Sequence, residues 1–282
     1  MGGGWKRALV APRQPPTLSQ LPEQARVTPS VIKPEKPQIR YATDALPGGD
    51  RFIRTVGLQT LGQTEIGARV PAKRSRQSDH GVIGVLQFLA NYVIGSGARI
   101  LAEETVECGW TLLRLRERAP AVLEAYEIED VFSEEPQPPV VPGVDRTVRL
   151  TDAADDVMRR NGLPGIGDFP YRGRGAMSCI HLSEDATQPF FMDRDALHNP
   201  QDSGWSIDCG EMREAHEESD LFIEHLAHIA ARRPFIVPYL TLPIGCGVSF
   251  EREGAFIFMP GKEENRRDPG KPYDFGPWSL LD

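Results

Sequence analysis

The sequence predicts an α+β fold of two small domains, each a mainly antiparallel sheet packed with one or two helices. Short runs rich in β-branched and aromatic residues recur between glycine- and proline-containing turns, which is typical of antiparallel strands. Each half of the chain also contains a segment whose apolar residues are spaced as on one face of a helix. A proline-rich stretch at 134–143 separates the halves, so the 282 residues are expected to form two compact parts.

Composition divides the chain into five regions. Residues 1–40 contain seven prolines and little apolar periodicity, which predicts an extended basic arm. An N-terminal α+β domain is expected at 41–133 and a C-terminal domain at 176–260. Residues 134–175 are predicted to be a linker with a short helix, and 261–282 a polar tail.

In the first domain, apolar residues at i, i+3, i+4 and i+7 positions predict a helix at 80–95. The Gly-Ser-Gly sequence at 95–97 is expected to end this helix. Strands are expected at 52–58, 65–70, 98–107 and 110–115.

The second half begins with a short helix predicted at 151–160, for which Thr151 is the expected N-cap. A longer helix is predicted at 211–231 and is expected to end at Pro234. Its apolar face would consist of Phe222, Leu226, Ile229 and Ala230. Strands are expected at 177–181, 190–192, 205–208, 235–240 and 255–259, with a turn at 199–204.

The charge is unevenly distributed. Residues 1–40 contain seven Lys or Arg and two Asp or Glu, whereas the whole chain has a net charge of −8. Two stretches are strongly acidic: 103–135 holds ten acidic residues against three arginines, and 193–225 holds ten against two. An acidic body is poorly suited to binding nucleic acid and better suited to a basic protein partner. Simple solubility is the alternative explanation of the charge.

The four cysteines Cys108, Cys179, Cys209 and Cys246 are 30 or more residues apart and form no C-x-x-C pair. This spacing gives neither a zinc knuckle nor a redox motif. Free, mostly buried thiols are the simplest interpretation, and a zinc site assembled from scattered ligands is the alternative. The sequence therefore predicts no cofactor and no metal.

No residue pattern indicates a catalytic site. His225 and His228 are spaced to share a metal on a helix, but no glutamate lies between them as in H-E-x-x-H. The glycine cluster at 162–167 lacks the Lys-Ser/Thr of a phosphate-binding loop, and no serine lies in a nucleophile elbow. No pair of carboxylates is isolated in an apolar setting. The chain is therefore expected not to be an enzyme.

The location is expected to be cytoplasmic. No apolar run approaches the roughly 18–20 residues that span a membrane. The first residues also lack the apolar region of a secretory signal, because the short apolar run is interrupted by Pro12.

The most informative motif is Asp202-Ser203-Gly204-Trp205, followed by Gly210-Glu211. Asp202 suits an Asx turn, and Gly204 allows a positive φ. This order resembles the Asp-Ser-Gly-Trp family of bacterial immunity proteins, which is associated with polymorphic and type VI secretion toxins. Further elements fit the same order: Ser178 and the aromatic run 190–194 before the motif, and Pro243-Ile244-Gly245 and the segment 248–250 after it.

The resemblance covers about 176–255, and one departure is Met212, where relatives more often have a second acidic residue. The first domain is similar, over residues 55–66 and 86–95, to a small bacterial domain family of unknown function. That family recurs in gene neighbourhoods that encode toxins and immunity proteins. Thr64 replaces the usual proline of that family.

The family resemblance implies a protein that neutralises a cognate toxin by stoichiometric binding. The acidic body and the absence of a long apolar run predict neither nucleic acid nor membrane as partner. An acidic surface of this kind suits a nuclease, whose substrate groove is basic. Two alternatives stay open: an adaptor that loads a secreted effector through the basic arm, and a hydrolase. The residues expected to contact the toxin are Asp202, Ser203, Trp205, Glu211, Glu214, Glu217, Glu218 and Asp220.

Overall fold

The computed structural model describes residues 38–74, 77–129, 137–163, 169–182, 188–209, 216–252, 254–260, 266–268 and 270. These residues form two mixed sheets with helices, which confirms the predicted α+β fold with two sheet-based bodies. The expected arm at 1–40 lies almost wholly outside the described residues, as does most of the tail at 261–282. None of the helices in the described ranges is long and apolar enough to cross a membrane.

The first sheet has the strand order β1-β2-β3-β6-β5-β4, with β7 paired to β6. β3 and β6 are parallel, and the other pairs are antiparallel. Among the predicted strands, 65–70 and 110–115 are confirmed, whereas only the last part of 98–107 is a strand. The strands are β1 (Arg40–Ala45), β2 (Arg51–Val56), β3 (Glu65–Val70), β4 (Thr105–Cys108), β5 (Thr111–Ala119), β6 (Val122–Ile128) and β7 (Val140–Pro142).

Helix α1 (Gln77–Ser96) covers this sheet and confirms the helix predicted at 80–95. Its apolar face is buried against the sheet because Val82, Leu86 and Leu89 recur at helical spacing and are almost inaccessible to solvent. The helix ends at Ser96, and Gly97 follows with a φ of 66°. This left-handed residue is the stop that the Gly-Ser-Gly sequence predicts.

The second sheet has the order β11-β8-β10-β9-β12-β13-β14, in which β8 and β10 are parallel and the other pairs antiparallel. The strands predicted at 177–181, 190–192, 205–208 and 255–259 are confirmed. The strands are β8 (Gly175–Cys179), β9 (Phe190–Arg194), β10 (Asp202–Asp208), β11 (Leu221–His225), β12 (Gly247–Glu251), β13 (Gly254–Phe258) and β14 (Arg266–Arg267).

The prediction of a long helix at 211–231 is wrong for the described residues that precede Leu226. Residues 210–215 lie outside the described ranges, 218–220 form a short 3-10 helix, 221–225 form β11, and Leu226–Arg232 form an α-helix, α3. Phe222 is therefore on a strand and exposed, whereas Leu226, Ile229 and Ala230 are buried as expected. The run Leu221-Phe222-Ile223 favours a strand, and pairing with β8 stabilises it there.

The strand predicted at 235–240 is also wrong, because Pro234–Thr241 form a 3-10 helix. Pro234 lies in its first turn, and Pro238 lacks the N–H group that a central strand would use for pairing. The helix is buried on nearly every side, so its apolar residues show no alternation.

The stretch 134–175 contains more structure than the predicted linker with a short helix. β7 pairs with β6, and helix α2 spans Asp145–Arg160. The prediction that Thr151 is an N-cap is wrong, because Thr151 lies inside the helix and its hydroxyl donates to the Thr147 carbonyl at 2.9 Å. Val148 packs on the first core, whereas Leu150 and Val157 belong to the second, so α2 is shared by both cores. The domain boundaries stay a prediction.

The C-terminal end of α2 is fixed by a buried carboxylate, Asp268. Arg160 donates from Nε to Asp268 Oδ1 at 2.5 Å and from Nη2 to Oδ2. The Tyr239 hydroxyl donates to Oδ2 at 2.7 Å, and the Asn161 amide to Oδ1 at 3.2 Å. Burial alone would raise the pKa of Asp268, but the hydrogen bonds from Arg160 and Tyr239 outweigh it and lower that pKa below its usual value.

We expect Asp268→Asn to lower the free energy of unfolding by on the order of 3 kcal/mol at neutral pH, because the largely buried Arg160 would lose its buried counter-charge and keep the more exposed Asp156. Because the pKa of Asp268 is lower in the folded chain than in the unfolded chain, its carboxylate stabilises the fold fully above the unfolded pKa of about 3.9. Protonation removes this stabilisation as the pH falls through the lower pKa of the folded chain. Urea unfolding between about pH 3 and pH 7 measures both effects.

Asp44→Asn is the matched control, because Asp44 pairs with Arg54 on the exposed surface at 3.1 Å. A surface pair of this kind contributes at most about 1 kcal/mol. Equal losses of stability in the two variants, with equal pH dependence, would contradict the role assigned to Asp268.

Candidate functional site

The Asp202-Ser203-Gly204-Trp205 motif begins β10 and forms a fixed turn at its start. Asp202 accepts hydrogen bonds from the Gly204 N–H at 2.8 Å and the His198 N–H at 3.0 Å, which confirms the expected Asx turn. Gly204 has a φ of 77°, and a Cβ added there would lie 2.5 Å from the Asp195 carbonyl oxygen. The position therefore requires glycine for both backbone conformation and space.

Two residues of the motif are buried and hold the sheet together. The Ser203 hydroxyl donates to the Gly175 carbonyl at 2.7 Å and accepts from the Trp205 N–H at 3.2 Å. The Trp205 indole N–H donates to the Leu240 carbonyl at 3.2 Å, which anchors β10 to the 3-10 helix. Both side chains are almost inaccessible to solvent, so Ser203 and Trp205 contribute little outer surface of their own.

A pocket of about 270 Å³ lies beside this turn. Trp205 and Met177 line it, Ile223 borders it from β11, and Asp195 and Asp202 add carboxylates to its wall. The pocket therefore combines an apolar surface with negative charge next to the motif.

Strand β11 is an edge strand in the described part of the sheet, with β8 as its neighbour. Ile223 is 72% exposed and Phe222 is 42% exposed, on the opposite faces that successive strand residues occupy. Ile180, in the turn after β8, is 62% exposed, and its N–H donates to the Asp220 carbonyl at 2.9 Å. Ile180, Phe222 and Ile223, together with the pocket beside Asp202, are called the β11 edge surface below.

The sequence did not identify the apolar part of this surface, because the helical spacing of 222, 226, 229 and 230 assigned Phe222 to a buried face. The signal that could have found it is the run Leu221-Phe222-Ile223, which has high β propensity and no polar residue between its members.

The acidic residues predicted to contact a partner form a second group before β11. Glu217 is exposed and caps a short 3-10 helix, Glu218–Asp220, in which the Asp220 side chain accepts from the Glu217 N–H at 2.9 Å. Glu218 is exposed and Asp220 is half-buried. Glu211 and Glu214 lie outside the described residues.

Asp202 and this acidic group lie at opposite ends of β8. Asp202 is in register with Gly175, and Leu221, which directly follows Asp220, is in register with Cys179. Four residues of strand separate these register positions, a distance of about 13 Å. The structure therefore brings Asp202 together with Ser203 and Trp205, and places Glu217, Glu218 and Asp220 apart from them.

His225 and His228 do not lie on one helix. His225 ends β11 and His228 lies in α3, their rings are stacked with centroids 5.4 Å apart, and both are exposed. In the described ranges, one group of three side chains is close enough to share a metal ion, and it consists instead of Cys179, His181 and His216.

The cysteines match the expectation of mostly buried thiols, since Cys108, Cys179 and Cys246 are buried and Cys209 is half-buried. Burial, together with the nearby Glu127 carboxylate, raises the pKa of Cys108 to about 12. Burial also raises the pKa of Cys246, although Arg194 partly opposes this. Both thiols therefore stay protonated at neutral pH and are poor nucleophiles.

Residues 175–258 match the family model of the Imm33-like domain. No curated protein and no solved structure is significantly similar to the chain. The matched segment runs from β8 to β13 and contains the Asp202 turn, the pocket and β11. This part of the chain is thus similar to an immunity-type domain, and a domain of this type implies a protein partner.

Proposed function

We propose that the chain is an immunity protein that neutralises a cognate secreted toxin by stoichiometric binding, without catalysing a reaction. The match of residues 175–258 to the Imm33-like domain carries this proposal. We assign the toxin to the effectors of a type VI secretion system that act in the cytoplasm, where the immunity protein would meet it. The role is inhibition during competition between bacteria.

The β11 edge surface is proposed as the part that contacts the toxin. Ile223, which is exposed and borders the concave pocket, can form the desolvated centre of an interface. The outer edge of β11 also presents backbone N–H and C=O groups that a strand of a partner can pair with. Asp195 and Asp202 at the pocket and Glu217 and Glu218 near the other end of β11 give this surface a negative rim.

This charge favours a toxin with a basic surface, and a nuclease is the candidate class because its substrate groove must attract phosphates. Acidic rim residues accelerate encounter with such a protein and add less to the final affinity than the apolar centre does. Blocking the groove directly is the mode of inhibition that this charge supports.

We expect Ile223→Asp to weaken toxin binding by about 2 kcal/mol, or roughly thirty-fold in Kd, because it places a charge at the apolar centre of the interface. The protein should still fold, since the side chain is mostly exposed. Co-purification with the product of the adjacent open reading frame, followed by calorimetry, measures the effect.

Ile244→Asp is the matched control, because Ile244 is 54% exposed in the loop before β12, and three strands separate β12 from β11. It should change Kd by no more than about twofold. Unchanged binding by Ile223→Asp would remove the β11 edge surface from the proposal, and failure of the wild-type chain to bind any neighbouring toxin would remove the proposed function.

Reversing one rim charge should alter the association rate more than the dissociation rate. We expect Glu218→Lys to slow association with a basic toxin several-fold at low salt, with the difference shrinking as salt is added. Stopped-flow kinetics at two ionic strengths measures this. Glu117→Lys, an exposed position on β5 of the first sheet, is the control and should have a smaller effect. Equal rates for the two variants would argue against steering by this rim.

Deletion of residues 1–37 separates the proposed function from the adaptor alternative. The deletion leaves β1, which begins at Arg40, in place. A toxin neutraliser should keep protecting cells without the basic arm, whereas a protein that loads an effector through this arm should lose its activity. Survival of toxin-expressing cells with full-length and shortened chains measures the outcome.

A further inference from the structure

Three strand ends of the second sheet meet at the edge opposite the Asp202 turn. β8 and β10 are parallel neighbours, so their C-terminal ends lie at the same edge of the sheet. Cys179 is the last residue of β8, and Cys209 directly follows β10. β11 is antiparallel to β8, so its N-terminal end lies at this edge, and His216 precedes it by five residues.

The side chains at this edge converge. One ligand atom each from Cys179, His181 and His216 lies within 4.8 Å of the other two. Cys209 Sγ lies 3.4 Å from His216 Nε2, so a second thiol lies beside this group of three. The rings of His181 and His216 have centroids 5.0 Å apart. The backbone supports this closeness, since the Ile180 N–H donates to the Asp220 carbonyl at 2.9 Å.

One of the two ring nitrogens of His216 has a polar neighbour at hydrogen-bond distance in the described part of the chain. Its Nε2 faces Cys209, while its Nδ1 is buried without a hydrogen-bond partner in the described part of the chain. Burying such a nitrogen costs free energy that is normally offset by a partner.

We propose that Cys179, His181, Cys209 and His216 form a structural zinc site. Two thiolates and two imidazoles are a donor set that zinc prefers in closed tetrahedral sites. With zinc–sulfur bonds of about 2.3 Å and zinc–nitrogen bonds of about 2.0 Å, ligand atoms lie roughly 3.5 Å apart. The 3.4 Å between Cys209 Sγ and His216 Nε2 has this value, so Nε2 would be the zinc-binding nitrogen and Nδ1 would carry the proton, facing an outer hydrogen-bond acceptor.

The site would join β8, β10 and the segment that leads into β11 through a single ion. It would therefore hold the edge strand, and the acidic residues before it, in a defined position. This inference is independent of toxin binding, because zinc content and thermal stability can be measured on the purified chain alone.

Metal analysis of the purified full-length chain tests the proposal directly. After chelator stripping under reducing conditions and reloading with Zn²⁺, the wild-type chain should hold one zinc ion and gain thermal stability. Co²⁺ in place of zinc should give the visible absorption of a tetrahedral site and the ultraviolet band of thiolate ligation. His181→Gln should weaken Zn²⁺ binding at least tenfold, because even the loss of an outer-shell partner costs about that much.

His181→Gln is the variant of choice because the His181 side chain is exposed and its loss should not prevent folding. The double variant His225→Gln, His228→Gln is the matched control, since it removes another exposed histidine pair and should bind zinc as the wild type does. Cys209→Ser should weaken the thiolate band of the cobalt form.

Three results would overturn the proposal: no stoichiometric zinc in the wild type, equal zinc affinity in His181→Gln and the wild type, or an equal loss in the control pair. A disulfide between Cys179 and Cys209 in the freshly purified chain would also overturn it, because the two sulfurs would then be unavailable as thiolates.

Discussion

Helix α2 is the element on which both halves of the molecule depend, because each core packs against it. Its N-terminal N–H groups are satisfied by Glu127 of β6, which accepts from the Arg146 N–H at 3.1 Å and from the Thr147 N–H. This carboxylate takes the place of a local N-cap side chain, which α2 lacks. At the other end of the helix, Arg160 contacts Asp268. The two sheets therefore cannot separate without exposing the apolar faces of one helix and leaving buried charges without partners.

This arrangement explains why apolar side chains remain exposed on β11. The second core is filled by α2, α3 and the 3-10 helix at Pro234–Thr241, whose apolar residues are almost completely buried. β11 lies beyond β8, at the margin of this core, where Phe222 and Ile223 contribute little to it. Exposed apolar side chains beside a pocket weaken solubility unless another protein covers them. The proposed role in recognition would account for this exposure.

Much of the fold follows from local sequence patterns, and the errors have identifiable physical causes. The helix at 80–95 and the strand at 65–70 were predictable because apolar periodicity and a left-handed Gly97 act locally. The run 221–232 was misread because apolar residues of a short strand and a short helix happen to continue one helical spacing. The group of Cys179, His181 and His216 was not predictable from spacing, since Cys179 and the segment that carries His216 meet through the antiparallel pairing of β8 with β11. The Asx turn at Asp202 was predictable, whereas the burial of Ser203 and Trp205 depends on tertiary packing.

The parallel pair β8–β10 also determines the position of the proposed interface. At the N-terminal ends of these two strands, Gly204 and Asp202 fix the start of β10 beside the pocket. At their C-terminal ends, Cys179, His181 and His216 converge where the chain enters β11. β11 itself is held by hydrogen bonds just beyond its two ends, from the Ile180 N–H to the Asp220 carbonyl and from the Leu226 N–H to the Arg174 carbonyl. A rigid edge strand loses little conformational entropy when a partner binds, so the affinity of such a surface depends mainly on its contacts. Under the proposed function the chain would have to outcompete the substrate of the toxin, and fixing the strand before the encounter would favour tight binding.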